Sequence, residues 1–432
     1  LRALLNVPEK YHRYVGSLLN RLRLRGLLSI DGERIVTLAS IENFGLHQTE
    51  SEALAFEDAY RKRHPDFAEA LNFVLPFLRE YARIIGGQID AAAVMFADGS
   101  IDRFGGIFQG EPASEYFNSL VVETVASHVR QLRSRSAGSG RSGKIRILEV
   151  GTGSGATSNA LLRALGEQPD AIDLCLSDIS PAFLRHVQRR FSAAYPWVTY
   201  QVLDIGNDVL SQGMQAHSWD VIVAGNVLHD TRSIVFTLEQ TRRLLKPGGL
   251  LVANEYTEIK EWHFAGGALL HGMWLFDDPG MRLDQFCLLG VAQWRLAMSR
   301  AGLIPLDALA LPSQSIVGRC GQSVLVGEAP AAAQTETIDA VLSMPVTAGA
   351  RETVPAPAAA DGGDASPGAA AVFGQNTHEL AMVVEEQVRS LLGTGRMHHY
   401  SSSRPLMDMG LDSVELVELK SLLGAHFDIV LP

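Results

Sequence analysis

The sequence predicts an α/β protein: a seven-stranded, mostly parallel sheet with helices on both faces, a helical region before it and a small all-α unit after it. Two observations carry this. Between residues 145 and 327, short apolar runs alternate with helical patterns, as strand–helix–strand units of a parallel sheet require. Beyond them, Pro355-Ala356-Pro357-Ala358-Ala359-Ala360-Asp361-Gly362-Gly363-Asp364 lacks aromatic and periodic apolar residues and marks residues 329–374 as a disordered tether.

The elements follow in chain order. Tyr11 to Arg25 reads as a helix, followed by a hairpin of Leu27–Ile30, the turn Asp31-Gly32 and Arg34–Leu38. Helix plus hairpin is winged-helix-like, but the bland reading of Arg21, Arg23 and Arg25 is the solvated edge of a packing or lid subdomain. Residues 50–125 read as mainly helical, and 1–125 are expected to form this lid subdomain. The core, 126–328, takes strands at Ile145–Gly151, Ile172–Ile179, Val198–Ile205, Trp219–Leu228 and Gly249–Tyr256, each expected to lead into a helix. Ile304–Leu311 and Gly321–Glu328 would finish the sheet as a hairpin, so that one of them runs antiparallel. Residues 375–432 form the last unit, with a first helix at His378–Leu392 and a second opened by Ser413.

Bulk properties narrow the function classes. A chain of 432 residues is too long for one core. A net charge of −11 argues against wholesale nucleic-acid binding, and no apolar run reaches the ~20 residues of a membrane span. Cys175, Cys287 and Cys320 lie far apart, which supports neither a disulfide framework nor a metal site. No signal peptide is visible, and a cytoplasmic protein is expected. Leu1 stands where a start methionine would, and Pro432 falls about one helix past Ser413. Both ends are therefore expected to be cuts in a longer polypeptide.

Gly151-Thr152-Gly153-Ser154-Gly155-Ala156 joins the first core strand to its helix, and its glycines let the backbone approach a ligand closely. The string also satisfies the dinucleotide pattern through Ala156, so the loop alone leaves a nicotinamide nucleotide open. Its flanks discriminate. Glu149 would repel a pyrophosphate but suits a cationic amino-acid ligand. Asp178 ends the second strand, placed for ribose hydroxyls, and Asp204 ends the third, where adenine edges are read. Three acids at successive strand ends resemble the class I methyltransferases, whose ligand is S-adenosylmethionine.

Asn226-Val227-Leu228-His229 closes the fourth strand and Asn254-Glu255 the fifth. Neighbouring strands lie about 4.8 Å apart, and their C-terminal ends face the ligand crevice. His229 and Glu255 can therefore meet there, as a base that works near neutral pH and the carboxylate that fixes its tautomer.

The run from about Phe96 to Leu303 resembles the C-methyltransferase domains of modular polyketide synthases. It does so through Phe96-Ala97-Asp98-Gly99-Ser100, Tyr116-Phe117-Asn118, Ile147–Gly155, Ser177-Asp178-Ile179-Ser180, Asn226–His229, Leu245–Gly249, Asn254-Glu255 and Gly272–Asp278. Met273 stands where the family commonly has tryptophan, and Asp230 replaces a usual small residue. The resemblance implies a class I, Rossmann-like methyltransferase fold. It also implies that Tyr116, Asn118, Ile205 and Asn226 join Glu149, Gly151, Gly153, Gly155, Asp178 and Asp204 around S-adenosylmethionine. The substrate it implies is a β-ketoacyl thioester on a carrier protein: His229 takes the α-proton, Glu255 orients His229, and the α-carbon is methylated.

Gly410-Leu411-Asp412-Ser413-Val414-Glu415-Leu416 in turn resembles the attachment site of an acyl carrier protein, with 4'-phosphopantetheine on Ser413; read by itself, Ser413 is a helix N-cap. The partners expected are this carrier in cis and other polyketide synthase domains, with neither nucleic acid nor membrane. A β-hydroxyl O-methyltransferase, a scaffold that presents the carrier, and an NAD-dependent reductase are the rival readings.

Overall fold

A computed structural model describes residues 7–331 except 33, 39–45, 66–67, 98–100, 102–104, 106–110, 140–142, 167 and 310–319. In the C-terminal part it describes 377–396, 406, 409, 411 and 413–427. The tether at 332–374 and the expected Asp98-Gly99-Ser100 motif lie outside the described residues. By its contacts the chain divides into Leu1–Ala331 and Ala332–Pro432.

The first unit carries the expected seven-stranded sheet. β3 (Ile145–Val150), β4 (Ile172–Asp178), β5 (Thr199–Val202), β6 (Trp219–Gly225), β7 (Leu245–Tyr256), β8 (Ile304–Pro305) and β9 (Gln322–Glu328) lie in the order β5-β4-β3-β6-β7-β9-β8. All pairs from β5 to β7 are parallel, and β9 is the antiparallel strand, between β7 and β8. The central strands are apolar on both sides because both faces are covered. Leu148, Val150, Ile222, Ala224, Leu251 and Ala253 point into one core, sealed by α8 (Ile234–Leu244) and α10 (Val291–Arg300). Their neighbours Ile147, Val221, Val223, Leu250 and Val252 point into the other. That face is sealed by α5 (Pro112–Ser139), α6 (Ala156–Leu165) and α7 (Pro181–Phe191).

Two expectations are corrected. β5 does not lead into a helix. Residues 203–218 run as turns, pinned where Asp204 N donates to the Gln212 amide oxygen (2.8 Å) and that amide donates back to Asp204 O (2.9 Å). The boundary expected at 125/126 falls inside α5. Phe117, Val121, Val125 and Val129 on that helix all pack against the sheet, so it cannot be divided there.

Before α5 come α1 (His12–Leu24), the hairpin β1 (Leu28–Asp31) and β2 (Arg34–Thr37), α2 (Leu46–Arg63), α3 (Ala68–Ile85) and α4 (Ala91–Met95). α1 docks onto the segment that follows β7. The Tyr14 hydroxyl donates to Phe264 O (2.8 Å), and Arg21 and Arg25 both pair with Glu261 on the short helix α9 (Glu261–Phe264). Arg23 donates to the Asn20 amide oxygen (2.9 Å), so all three arginines of the basic edge are engaged within the protein.

The second unit is described by itself. α11 (Thr377–Arg396) and α12 (Ser413–Phe427) enclose Val388, Leu391, Leu392, Met409, Leu411 and Leu419, and Ser413 is the first residue of α12. Among the described residues, no helix is long and apolar enough to cross a membrane.

Candidate active site

Sheet register brings the expected residues to one edge. Val150 pairs with both Ser177 and Ala224, Ala224 pairs with Ala253, and Asp178 pairs with Val202. The chain therefore leaves β3, β4, β5, β6 and β7 side by side, all at their C-terminal ends.

On the β3–β4 side the site is made of backbone. Gly151, Gly153 and Gly155 have φ of 70°, 50° and 82°, left-handed values that L side chains rarely adopt. A Cβ at Gly151 would also lie 2.4 Å from the Val227 side chain, so this approach of the loop to the β6 end depends on glycine. The loop wraps Asp178, whose carboxylate accepts from Gly153 N (2.9 Å) and Ser180 N (2.9 Å). Glu149 is fully buried, and burial, with Asp178 nearby, pushes its carboxyl up to about 8. Glu149 Oε2, Thr152 Oγ1 and Asn226 Oδ1 are buried without hydrogen-bond partners. Unpartnered oxygens at the mouth of a glycine loop are costly unless a ligand supplies donors, and they fit the cationic amino-acid end of S-adenosylmethionine better than a pyrophosphate.

The remaining expected residues are placed unevenly. Asn118 is buried and accepts from Thr157 Oγ1 (3.0 Å) in the first turn of α6, so it braces the helix behind the glycine loop. Tyr116 is half-buried beside Phe117. The Asp204 carboxylate accepts from Gly206 N (2.8 Å) and the Asn207 amide (2.6 Å). The Ile205 side chain is buried in the apolar core, which leaves its backbone as the part that can face a ligand. Asn226 has a φ of 52°, an uncommon value for a non-glycine residue, and turns the chain sharply out of β6.

On the β6–β7 side the site is made of side chains. His229 lies in a single 3₁₀ turn, Leu228–Asp230, and is buried. Its Nδ1 is 2.5 Å from Glu255 Oε2, and Glu255 Oε1 accepts from Val227 N (3.2 Å) and Leu228 N (2.9 Å). Glu255 thus fixes both the imidazole and the turn that carries it. Its bond to Nδ1 leaves Nε2 for a reacting group, and Asp230 Oδ1 lies 3.5 Å from Nε2. Burial alone would push His229 down, but Asp230, Glu255 and the bond to Glu255 outweigh it and hold the imidazole at about 9, with Arg282 opposing.

The sequence did not single out Arg282, and the structure makes it central. Its guanidinium donates to the backbone oxygens of His229 (2.7 Å), Cys287 (2.6 Å) and Thr231 (2.8 Å) and to Asp278 Oδ1 (2.6 Å). Asp278 also accepts from Ile234 N (2.8 Å) at the start of α8. The one signal available was the i,i+4 spacing of Asp278 and Arg282 just past the Gly272–Asp278 run. His263 was missed as well. It is buried, Lys260 N donates to its Nδ1 (2.9 Å), and burial, with the His229 charge adding to it, pushes it down to about 3. It is therefore a neutral imidazole beside the base.

The methyltransferase-domain family matches residues 148–251. The crystal structure of the DszA carbon methyltransferase superposes with a TM-score of 0.68 at 31% identity, covering 76% of this chain and 81% of that one. The CurJ carbon methyltransferase does so at 0.66 and 27%, covering 76% and 82%. Among curated proteins, polyketide synthase ThaQ of Burkholderia thailandensis is 32% identical over 74% of this chain. Polyketide synthase PksM of Bacillus subtilis is 26% identical over 98% of it. The chain spans 15% of the first and 10% of the second. The strand order and these neighbours make the fold that of the class I methyltransferases.

Proposed function

The chain belongs to the polyketide synthase carbon methyltransferases, which use S-adenosylmethionine, and from that premise we propose that it methylates the α-carbon of a β-ketoacyl thioester held on a carrier protein. The observation that carries this is the buried His229–Glu255 pair, 2.5 Å apart, at the C-terminal ends of β6 and β7, next to β3 and the glycine loop that follows it. S-adenosylmethionine supplies an electrophilic methyl group when bound. Glu149, the loop glycines, Asp178, Asp204, Asn226 and the backbone at Ile205 are the groups that would hold it, with Tyr116 and Asn118 behind them.

The protein's own part is proton management. An α-carbon between two carbonyls is acidic enough for a positioned imidazole to deprotonate. Nε2 of His229 takes that proton, and Glu255 keeps Nδ1–H directed and balances the cation that forms. The carbanion, delocalised onto its carbonyls as an enolate, is the nucleophile that methylation needs. Because His229 titrates at about 9, the neutral base is a minor species at pH 7 and grows as pH rises. Methylation should therefore rise with pH, pass half of its maximum near 9 and level off above that.

Ser413, at the start of α12, is the proposed bearer of 4'-phosphopantetheine, and the 329–374 tether would hold that arm at high effective concentration. Other synthase domains would supply the acyl chain. The test is intact-mass analysis of a β-ketoacyl-loaded carrier incubated with the protein and S-adenosylmethionine. One added methyl is expected on β-ketoacyl and none on β-hydroxyacyl chains. Methylation of the β-hydroxyacyl chain alone would replace carbon by oxygen as acceptor, and no mass gain with either would leave a scaffold. For Ser413, incubation with coenzyme A and a broad-specificity transferase should add the arm to the protein and not to the Ser413→Ala variant.

A further inference from the structure

The two nitrogens of His229 do not face equal surroundings. Nδ1 is taken by Glu255 at 2.5 Å, and Nε2 faces Asp230 Oδ1 at 3.5 Å, beyond a good hydrogen bond but within ion-pair reach. The Asp230 side chain keeps 43% of its surface exposed, against 5% for His229 and none for Glu255. Asp230 therefore stands at the open side of the base.

We propose that Asp230 is a second carboxylate partner of the base, a positioning residue that stabilises on Nε2 the proton His229 takes from substrate. The inference rests on the reading of His229 as base.

Charge at the site supports it. The groups facing His229 are Glu255 from β7, Asp230 from its own turn, Arg282 beyond the Pro279–Met281 turn, the Cys287 thiol, and His263 from α9. Burial keeps Cys287 protonated and His263 neutral near pH 7. The Arg282 guanidinium is already paired with Asp278 at 2.6 Å, so Glu255 and Asp230 are the carboxylates that a proton on His229 meets, and while burial raises the Asp230 carboxyl, that proton's charge lowers it. Without Asp230, that proton keeps Glu255 on the Nδ1 side and loses the carboxylate on the Nε2 side. Asp230 thus makes His229 a stronger base, and it also makes the protonated form dominant at neutral pH. It also gives the departing proton an acceptor on the solvent side, which Glu255, fully buried, cannot provide.

The test uses the whole chain with Asp230→Asn, which keeps the shape and removes the charge, and Asp230→Ala as a second variant. Asp307→Asn, an exposed surface carboxylate, controls for net charge. Titration of the His229 ring by nuclear magnetic resonance should show its midpoint lower by about 1–3 pH units in both Asp230 variants, the scale of one nearby charge, and unmoved in Asp307→Asn. The pH–rate profiles on a β-ketoacyl carrier should cross. Asp230→Asn should match or exceed the parent at pH 7 and fall several-fold below it above pH 9, with unchanged affinity for S-adenosylhomocysteine.

An unmoved His229 midpoint, or a variant profile that is the parent's scaled by a constant, overturns the proposal. The ring titration does not depend on turnover, so it remains decisive if the chain proves not to methylate β-ketoacyl carriers. Conversely, full activity in His229→Ala would remove the base while leaving the charge coupling measurable.

Discussion

The two sides of the crevice are built by different means. On the β3–β4 side, seven consecutive residues, Glu149–Gly155, make a cradle braced from β4 by Ser177 and Asp178 and from α7 by Arg190. Its backbone is fixed by positive φ values, and three of its oxygens or those beside it wait for a partner. On the β6–β7 side the base and its turn are held by side chains scattered along the chain, while Asn254 Oδ1 and His263 Nε2 are buried there without a partner. His229 depends on Glu255, its turn depends on Arg282, and Arg282 depends on Asp278. A ligand site can be unsatisfied until its ligand arrives. A proton-transfer site must be preorganised, because a misdirected imbalance of charge costs rate in every turnover.

This comparison predicts which substitutions act on chemistry, which on folding and which on binding. The largest effect on chemistry belongs to His229→Ala, which should lower methylation by about 10²–10⁴-fold, the range for a general base. Affinity for S-adenosylhomocysteine, measured by calorimetry, should not change. Glu255→Gln should fall less far, and the double variant should be little worse than His229→Ala, because the two act as a unit. High residual activity in His229→Ala with the fold intact would move the base elsewhere.

Next comes Arg282→Met. The change removes a buried cation from four acceptors and leaves Asp278 without its partner, for which a cost of about 3–5 kcal/mol is expected. Denaturant unfolding should register it, and the loss of rate should accompany a loss of stability. A variant as stable as the parent would show that the carbonyls of His229, Thr231 and Cys287 need no common donor. Asp178→Ala should reverse the pattern. It should weaken cofactor binding by about 1.5–3 kcal/mol, the scale for hydrogen bonds to a charged group, and leave the titration of His229 alone.

The same difference explains what was legible in the sequence. Glycines at 151, 153 and 155, acids at strand ends and the alternation of strands are local signals, and the sheet formed with the expected strands because both its faces are covered. The His229–Glu255 pair was legible because parallel neighbouring strands bring their ends together whatever the loops do. Arg282 was not, because nothing near it in sequence names its acceptors. They are backbone oxygens, which carry no residue identity. The absent helix after β5 was hidden for a similar reason: two hydrogen bonds between Gln212 and Asp204 replace it. The boundary at 125 was misplaced because a helix of 28 residues serves the sheet with one part and reaches beyond it with another.

The smallest effect tests how far the scattered side extends. The Arg13 guanidinium sits 3.9 Å from the centroid of the Phe276 ring, which Arg282 approaches at 5.2 Å. Arg13 also donates to Phe276 O (2.8 Å) and to Trp274 O. Helix α1, the start of the N-terminal region, is thereby linked through one ring to the arginine that holds the base's turn. Arg13→Leu removes a cation–π contact and two hydrogen bonds at a part-buried site, a loss of about 1–2 kcal/mol. If α1 only covers the core, that loss should appear in unfolding alone. If the ring couples the two arginines, the turnover number on acyl carrier should fall a few-fold while S-adenosylhomocysteine affinity stays fixed, since no part of the glycine loop touches this chain of contacts. An equal loss in both would mean that α1 supports the two sides alike, and the division drawn between them would fail.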